Sequence, residues 1–175
     1  GKLVIPCQYD FACDCSEGLA LVQGENGKWG YIDTTGKLVI PCQYDSADDF
    51  SEGLAAVKDE SGKWGCIDTT GKLVIPCQYN NRVEHFSDGM ARVMDTSGKW
   101  GYIDTTGELV IPYQFVTAYD FSEGLAAARY DYSGKWGYID KTGKEAIPFQ
   151  YYDAYSFSEG LAGGQDVSGY GYIGT

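Results

Sequence analysis

The chain has 175 residues, of which 43% are hydrophobic and 15% aromatic, so it has enough apolar side chain for a folded core and is not expected to be disordered. Its formal net charge of −12 makes nucleic-acid phosphates and anionic lipid surfaces unfavourable partners. No apolar run approaches the roughly 18 residues that a membrane helix needs, so we expect no membrane insertion.

The chain opens with Gly1 instead of Met and shows no signal-peptide pattern. Such a start is typical of an excised segment or a tag remnant. The cellular compartment is therefore not predicted from the N-terminus.

One unit recurs along the whole chain. Lys-Trp-Gly is spaced by 35, 36 and 36 residues, Ile-Pro occurs five times, and a step of an acid, a glycine and an apolar residue also occurs five times. A fixed period of this length indicates tandem structural repeats. We predict one all-β repeat domain over residues 1–175. Its units cover about residues 1–18 together with 161–175, 19–53, 54–89, 90–124 and 125–160.

Within one unit the pattern predicts three short strands. Leu54–Lys58 is the first strand, and a turn ending at Gly62 leads to the second strand, Trp64–Asp68. A Thr-Thr-Gly loop then suits a hairpin, and Leu73–Ile75 forms the third strand. Pro76 has no N–H for a central ladder and is predicted to end that strand. Three antiparallel strands joined by tight turns form a meander.

The connection that follows carries a spacing of three. Tyr44, Ala47 and Phe50 show it, and the fourth and fifth units repeat it. This spacing predicts one helical or 3₁₀ turn whose apolar edge packs inward. The acid-Gly step would then reverse the chain into the next strand.

A lone meander exposes an apolar face that only a neighbouring unit can cover. We therefore predict that the residues repeated at equivalent positions form the packing between units, each contributing about 1.5–3 kcal/mol when fully buried. These predicted core residues are Trp29, Trp64, Trp100, Trp136, Tyr170, Ile32, Ile67, Ile103, Ile139, Ile173, Phe50, Phe86, Phe121 and Phe157.

The words of the repeat resemble a known family. Lys28 to Pro41 reads Lys-Trp-Gly-Tyr-Ile-Asp-Thr-Thr-Gly-Lys-Leu-Val-Ile-Pro, and the words after it also match the WG-repeat (KWG-repeat) family of bacterial proteins. The resemblance implies an all-β repeat that serves as an interaction module, with no shared catalytic residues. The fifth copy departs from the pattern, because Tyr170 replaces Trp and Gly174 replaces Asp.

Two architectures fit five such units. Joining the end of the chain to its beginning nearly rebuilds one hairpin, so Val4 would pair with the strand around Tyr172 and close a β-propeller-like ring. We favour this closed ring. The degraded fifth copy instead suits the cap of an open β-solenoid, which is the alternative.

The sequence offers little chemistry. His85 has no counterpart in the other copies and no patterned partner, so we expect a surface loop residue. The cysteines occupy positions that hold aromatics in other copies, as at Cys66, which favours packing thiols over a disulfide or a zinc site. The Asp that precedes Thr-Thr-Gly stands alone, so it suits an Asx turn better than a calcium loop. We expect no metal and no cofactor.

These expectations favour a binding module over an enzyme. Variable residues lie mostly in turns and connections, as in a scaffold that binds a protein partner. The alternative is glycan or cell-wall binding, because flat aromatic rings stack on sugar faces. Burial of the four tryptophans between units would remove that platform. The oligomeric state is not predicted.

Overall fold

The computed structural model describes residues 8–174, which form eighteen β-strands and no helix. No helix in this part of the chain is therefore available to cross a membrane. The strands belong to five separate antiparallel sheets. The chain divides into two compact units, Gly1–His85 and Phe86–Thr175, each of which contains more than one repeat.

The first unit contains two sheets of four strands each. The first sheet consists of β1 (Phe11–Ser16), β2 (Leu19–Gln23), β3 (Trp29–Asp33) and β4 (Leu38–Tyr44) in that order. The second sheet consists of β5 (Ser46–Ala47), β6 (Leu54–Lys58), β7 (Trp64–Asp68) and β8 (Leu73–Tyr79) in that order.

The second unit contains three sheets. The third sheet has β10 (Trp100–Asp104) between β9 (Met90–Met94) and β11 (Leu109–Phe115). The fourth sheet consists of β12 (Thr117–Ala118), β13 (Leu125–Arg129), β14 (Trp136–Asp140) and β15 (Glu145–Tyr151) in that order. The fifth sheet consists of β16 (Asp153–Ala154), β17 (Leu161–Asp166) and β18 (Gly169–Gly174) in that order.

The sequence pattern predicted that the third strand of a repeat ends at its proline, and the structure shows that this prediction is wrong. Strand β8 continues through Pro76 to Tyr79. Its register shows why: Trp64 is opposite Tyr79 and Cys66 is opposite Ile75, so β7 advances two residues while β8 advances four. The extra residues form a bulge, which is one of the places where a strand tolerates a residue without an N–H.

The connection between repeats contains no helical turn, which corrects the prediction from the spacing of three. After Tyr44 the chain forms the two-residue strand β5, which pairs with β6 of its own sheet. Residues of the connection thus belong to the following sheet here, as they also do at β12 and β16. The spacing of three reflects Ala47 and Phe50 both pointing into the core from extended chain, at 8% and 3% exposure.

The acid-Gly step is a tight two-residue turn. Ser51 and Leu54 exchange both backbone hydrogen bonds, at 2.9 and 3.1 Å. Glu52 and Gly53 between them both have positive φ, at 52° and 79°. This conformation matches the twist of the strands on either side and strongly favours glycine at the second position.

Neighbouring sheets within a unit are joined by polar contacts around an apolar core. The Tyr31 hydroxyl donates to the Asp48 carbonyl at 2.7 Å, and the Ser16 hydroxyl donates to the Phe50 carbonyl at 2.8 Å. The carboxylate of Glu17 accepts a bond from the Gly53 amide at 2.9 Å. Equivalent contacts link the third sheet to the fourth and the fourth to the fifth. These bonds fix each sheet against the next because the buried partners would otherwise lose their hydrogen bonds to water.

The choice between a closed ring and an open array rested on a strand pair that lies partly outside the described residues. Val4, the predicted partner of the strand around Tyr172, precedes residue 8, at which the description begins. The single domain and its unit boundaries likewise stay predictions.

Candidate functional site

The outer edge of the fifth sheet differs from the corresponding edge of the other four. In those sheets the strand that begins with Trp pairs on one side with the strand that ends in Ile-Pro-x-Gln-aromatic, as β14 pairs with β15. The equivalent strand of the fifth sheet is β18, and within residues 8–174 it pairs only with β17. Its other edge therefore carries main-chain groups that no described strand satisfies.

The glycine after each Trp shows what this edge is shaped to receive. A Cβ atom at Gly30, Gly65 or Gly101 would lie 2.5, 2.4 or 2.6 Å from the carbonyl oxygen of the paired strand's Ile. The bulge at Ile-Pro thus presses its backbone against this position, and only glycine fits. At Gly171 a Cβ would meet nothing within 4 Å. The Trp-Gly pair in the sequence was the signal for this contact, but its spacing by itself indicated only the period of the repeat.

The tyrosine of this strand is buried in the preceding sheets and exposed in the fifth. Tyr31, Tyr102 and Tyr138 are 1%, 0% and 0% exposed, whereas Tyr172 is 81% exposed. The buried rings each pack on a phenylalanine of the next sheet, as Tyr138 does on Phe157 at 5.0 Å between centroids.

Tyr170, which was predicted to belong to the repeat core, lies in solvent at 73% exposure. The Trp at this position in the other sheets is opposite the last aromatic of the bulged strand, as Trp136 is opposite Tyr151. No described strand brings such a residue to Tyr170. The repeat period identified its position correctly but not whether a neighbour covers it.

A cleft adjoins the end of β18. It has a volume of about 670 Å³ and is lined by Glu123, Gly124, Leu125, Ala146, Ile147, Pro148 and Gly174. In the third sheet the isoleucine equivalent to Ile147 is Ile111, and the hairpin-loop glycine of the next sheet, Gly143, covers it. A Cβ at Gly143 would lie 3.2 Å from Ile111. Ile111 is fully buried, whereas Ile147 is only half-buried. Ile147 thus lacks, among the described residues, the loop contact that covers Ile111.

The other predicted core residues are buried or half-buried. The isoleucines and phenylalanines are all buried, with exposures of 8% or less. Trp136 is 4% exposed, and Trp29, Trp64 and Trp100 are half-buried. All four tryptophans are the first residues of their strands, so position in the strand does not explain why only Trp136 is fully buried.

Other side chains cover faces of the tryptophan rings. Trp136 stacks on Tyr119 at 5.0 Å and lies 4.9 Å from the Arg129 guanidinium, and Trp100 lies 5.0 Å from that of Arg92. Cation–π contacts of this kind stabilise the ring where it is. Such contacts leave these two rings poorly placed to stack on a sugar.

Potential nucleophiles and acid–base groups lie apart from this edge. Cys66 is buried, and burial raises its pKa to about 12, which keeps the thiol protonated at neutral pH. The five cysteines in the described chain are free, and Cys7 lies outside it. His85 is exposed, with its Nε2 at 3.3 Å from Nη2 of Arg82. Residues 8–174 hold no cluster of three or more potential metal ligands.

The aspartates before the hairpin loops form Asx turns. The Asp68 carboxylate accepts bonds from the Thr70 hydroxyl at 2.6 Å, the Thr70 amide at 2.9 Å and the Lys72 amide at 3.0 Å. The hydroxyl bond, with the two amide bonds, holds the pKa of Asp68 below its usual value. One carboxylate oxygen, Oδ1, accepts all three bonds, so it stabilises the hairpin loop.

Comparisons with known proteins agree with the repeat. A family model described as "WG containing repeat" matches residues 1–29, 29–64, 64–99, 100–135 and 136–163. No protein of curated function matches the chain.

Similar folds occur among solved structures. BamB from Moraxella catarrhalis is 16% identical with a TM-score of 0.49, and the match covers 90% of this chain and 55% of BamB. The WD40 β-propeller domain of Doa1 is 13% identical with a TM-score of 0.44, over 87% of this chain and 60% of that one. The computationally designed Ika4 protein is 10% identical with a TM-score of 0.45, over 99% and 98%.

Proposed function

This chain belongs to the WG-repeat family, and we propose that it is a non-catalytic interaction module whose fifth sheet binds a protein partner. The observation that carries the proposal is the 81% exposure of Tyr172, at a position that is fully buried in the third and fourth sheets. A large aromatic side chain left in solvent beside an unpaired edge is typical of a surface that another molecule covers.

The residues around Tyr172 extend this surface. Tyr155, Leu161 and Tyr170 are 48%, 50% and 73% exposed, and Tyr155 and Tyr170 line a groove with Tyr172. Tyrosine suits protein interfaces because it offers a large contact area, a hydroxyl for hydrogen bonding and only two rotatable bonds to order. The absence of a histidine, a reactive thiol or an acid pair from this groove's lining fits binding rather than catalysis.

Glycan binding is the second candidate, and the exposed rings of Tyr170 and Tyr172 favour it because flat rings can stack on sugar faces. The covered faces of Trp100 and Trp136 count against it. Protein binding is preferred since the exposed rings adjoin a strand edge that no strand within residues 8–174 pairs with. The main chain of a polypeptide can satisfy such an edge with regularly spaced hydrogen bonds, and a sugar cannot.

The test is capture from a lysate of the host organism on the immobilised chain. Wild type is compared with Tyr172→Ser and with the matched control Tyr132→Ser, which removes an equally exposed ring (75% against 81%) from the same unit. We expect one protein to be retained by wild type and control and lost with Tyr172→Ser. Retention by all three would contradict the proposal, and retention of a polysaccharide instead of a protein would favour the glycan candidate.

A further inference from the structure

We propose that Asn26 is a site of spontaneous modification, at which the side-chain amide is lost as ammonia at a rate controlled by the turn between β2 and β3. Asn26-Gly27 is the one Asn-Gly pair in the sequence. The site lies in the first sheet, so its chemistry does not depend on the proposed function of the fifth.

The two residues supply the whole reaction, with water as the only other reactant. The main-chain nitrogen of Gly27 loses its proton and attacks Cγ of Asn26. This closes a succinimide ring and releases the side-chain nitrogen, which takes up the proton and leaves as ammonia. Water then opens the ring at one of its two carbonyl carbons. One product has aspartate at position 26, and the other has isoaspartate, in which the main chain runs through the former side chain.

The sequence of this turn favours the attack. Gly27 has no Cβ to hinder the approach of its nitrogen to the Asn26 side chain, and its φ of 73° is a conformation that favours glycine. Both residues are exposed, so water reaches the ring that forms. The equivalent residues of the second and third sheets are Ser61 and Ser97, which have no amide to lose.

Two hydrogen bonds restrain the attacking group in the folded turn. The Gly27 amide donates to the Gly24 carbonyl at 2.8 Å. The Gly27 carbonyl accepts a bond from the side-chain amide of Gln23 at 2.9 Å. The first bond must break before the nitrogen can lose its proton, and the second holds the peptide unit in place. The reaction therefore requires the turn to open locally.

The amide that leaves is restrained from both ends. Oδ1 of Asn26 accepts a bond from the Lys28 amide at 3.0 Å, and Nδ2 donates to the Cys42 carbonyl at 3.0 Å. Reorienting the side chain toward the Gly27 nitrogen breaks these bonds. The folded turn thus slows a reaction that its sequence favours.

Loss of the amide removes a link between the turn and strand β4. Aspartate at position 26 keeps an oxygen for the Lys28 amide but has no N–H for the Cys42 carbonyl. The turn also packs on the Cys42 thiol, because a Cβ at Gly24 would lie 3.3 Å from Sγ. Deamidation should therefore loosen the cover over this half-buried thiol.

The test is peptide mass spectrometry of the full-length chain after incubation at mildly alkaline pH, folded and in guanidinium chloride. We expect the mass gain of an NH₂-to-OH exchange at Asn26 in both samples, at a rate at least about tenfold lower in the folded chain. Asn80 and Asn81 precede residues with side chains, so they are internal controls and should react far more slowly. No gain at Asn26 in the folded chain would overturn the site, and equal rates in the two samples would overturn its control by the turn.

A pair of matched variants tests the restraint. Gln23→Ala removes the bond to the Gly27 carbonyl and leaves the reacting pair intact, so we expect loss of the Asn26 amide to be roughly two- to tenfold faster. Lys58→Ala truncates the residue at the equivalent position of the second sheet and should leave the rate unchanged. Thermal melting checks that both variants fold. Equal rates in Gln23→Ala and wild type would overturn the control by this turn.

A third variant, Asn26→Asp, reproduces one product and tests the consequence. The Cys42 thiol should react faster with an alkylating reagent in this variant than in wild type. Cys77 is at the equivalent position of the second sheet, and its reactivity should not change. Unchanged reactivity of Cys42, or an equal increase at both thiols, would overturn the predicted loosening of the turn.

Discussion

The fourth and fifth sheets carry nearly the same strand in opposite environments. Strand β14 reads Trp-Gly-Tyr-Ile-Asp and lies between β13 and β15, with Tyr138 fully buried. Strand β18 contains Tyr-Gly-Tyr-Ile-Gly at the edge of its sheet, with Tyr172 81% exposed. Burial of the repeat residues is thus a property of the neighbours that a strand acquires and not of the strand itself. The same substitution should therefore have very different effects in the two sheets.

The largest difference should follow removal of the tyrosine ring. Tyr138→Ala should lower the free energy of unfolding by about 3–5 kcal/mol, because it leaves a cavity beside Phe157. Tyr172→Ala should lower it by less than about 0.5 kcal/mol, since the ring is in solvent. Urea denaturation of both variants measures the difference. Equal losses would mean that Tyr172 is covered in solution.

The glycine of the same strand gives the next largest contrast. A Cβ at Gly137 would lie 2.7 Å from the Phe149 ring and 2.9 Å from the Ile147 oxygen. Gly137→Ala should therefore cost about 1–3 kcal/mol through overpacking. Gly171→Ala should be neutral or slightly stabilising, because an exposed strand glycine gains from a side chain. A comparable loss at Gly171 would show that another chain segment presses on it.

A smaller effect should follow removal of the hydroxyl alone. The Tyr138 hydroxyl donates to the Tyr155 carbonyl at 2.9 Å, so Tyr138→Phe should cost about 0.5–1.5 kcal/mol. Burial raises the pKa of Tyr138 to about 12, so this bond should persist throughout the neutral range. Tyr172→Phe is the control and should leave the urea midpoint unchanged. A change in the urea midpoint for Tyr172→Phe but not for Tyr138→Phe would mean that Tyr172, and not Tyr138, is the buried ring.

The smallest contrast concerns pH. Asp140 accepts hydrogen bonds from Thr142 and Lys144. The bond from the Thr142 hydroxyl above all holds the pKa of Asp140 below its usual value. Strand β18 has Gly174 at the equivalent position and so has no such carboxylate. A depressed folded-state pKa contributes stability above the unfolded value of about 4, and this contribution is lost as pH falls through the folded value. Stability should therefore decrease below about pH 4. Asp140→Asn should reduce that decrease, and denaturation at several acidic pH values tests it. An unchanged pH profile in the variant would assign the decrease to other groups.

Much of the repeat could be predicted from the sequence. Strands Leu54–Lys58 and Trp64–Asp68 have the predicted bounds, because their turns carry glycine at fixed offsets. The prolongation of β8 beyond Pro76 could not be read locally, since the proline is tolerated only through the bulge opposite Gly65. The two-residue strands such as β5 are too short to show a period and exist because they pair with the next strand of their sheet.

The candidate site depended on information that a repeat pattern does not contain. Tyr170 is at the position that the tryptophans hold in the other copies, but its ring is exposed because no strand within residues 8–174 shields it. The useful signal in the sequence was the coupling of Trp-Gly to Ile-Pro. The glycine and the proline are always 11 residues apart in the first four copies, as from Gly65 to Pro76. Their contact becomes visible only when the bulge brings the two backbones together.

The central claim is that the outer edge of β18 is open to a partner. Amide hydrogen exchange of the free full-length chain tests it directly, by comparing residues 136–140 with residues 169–174. The account predicts strong protection throughout β14, and rapid exchange at those β18 amides that do not bond to β17. Protection of every β18 amide to the level of β14 would show that the edge is already paired, and would contradict the account.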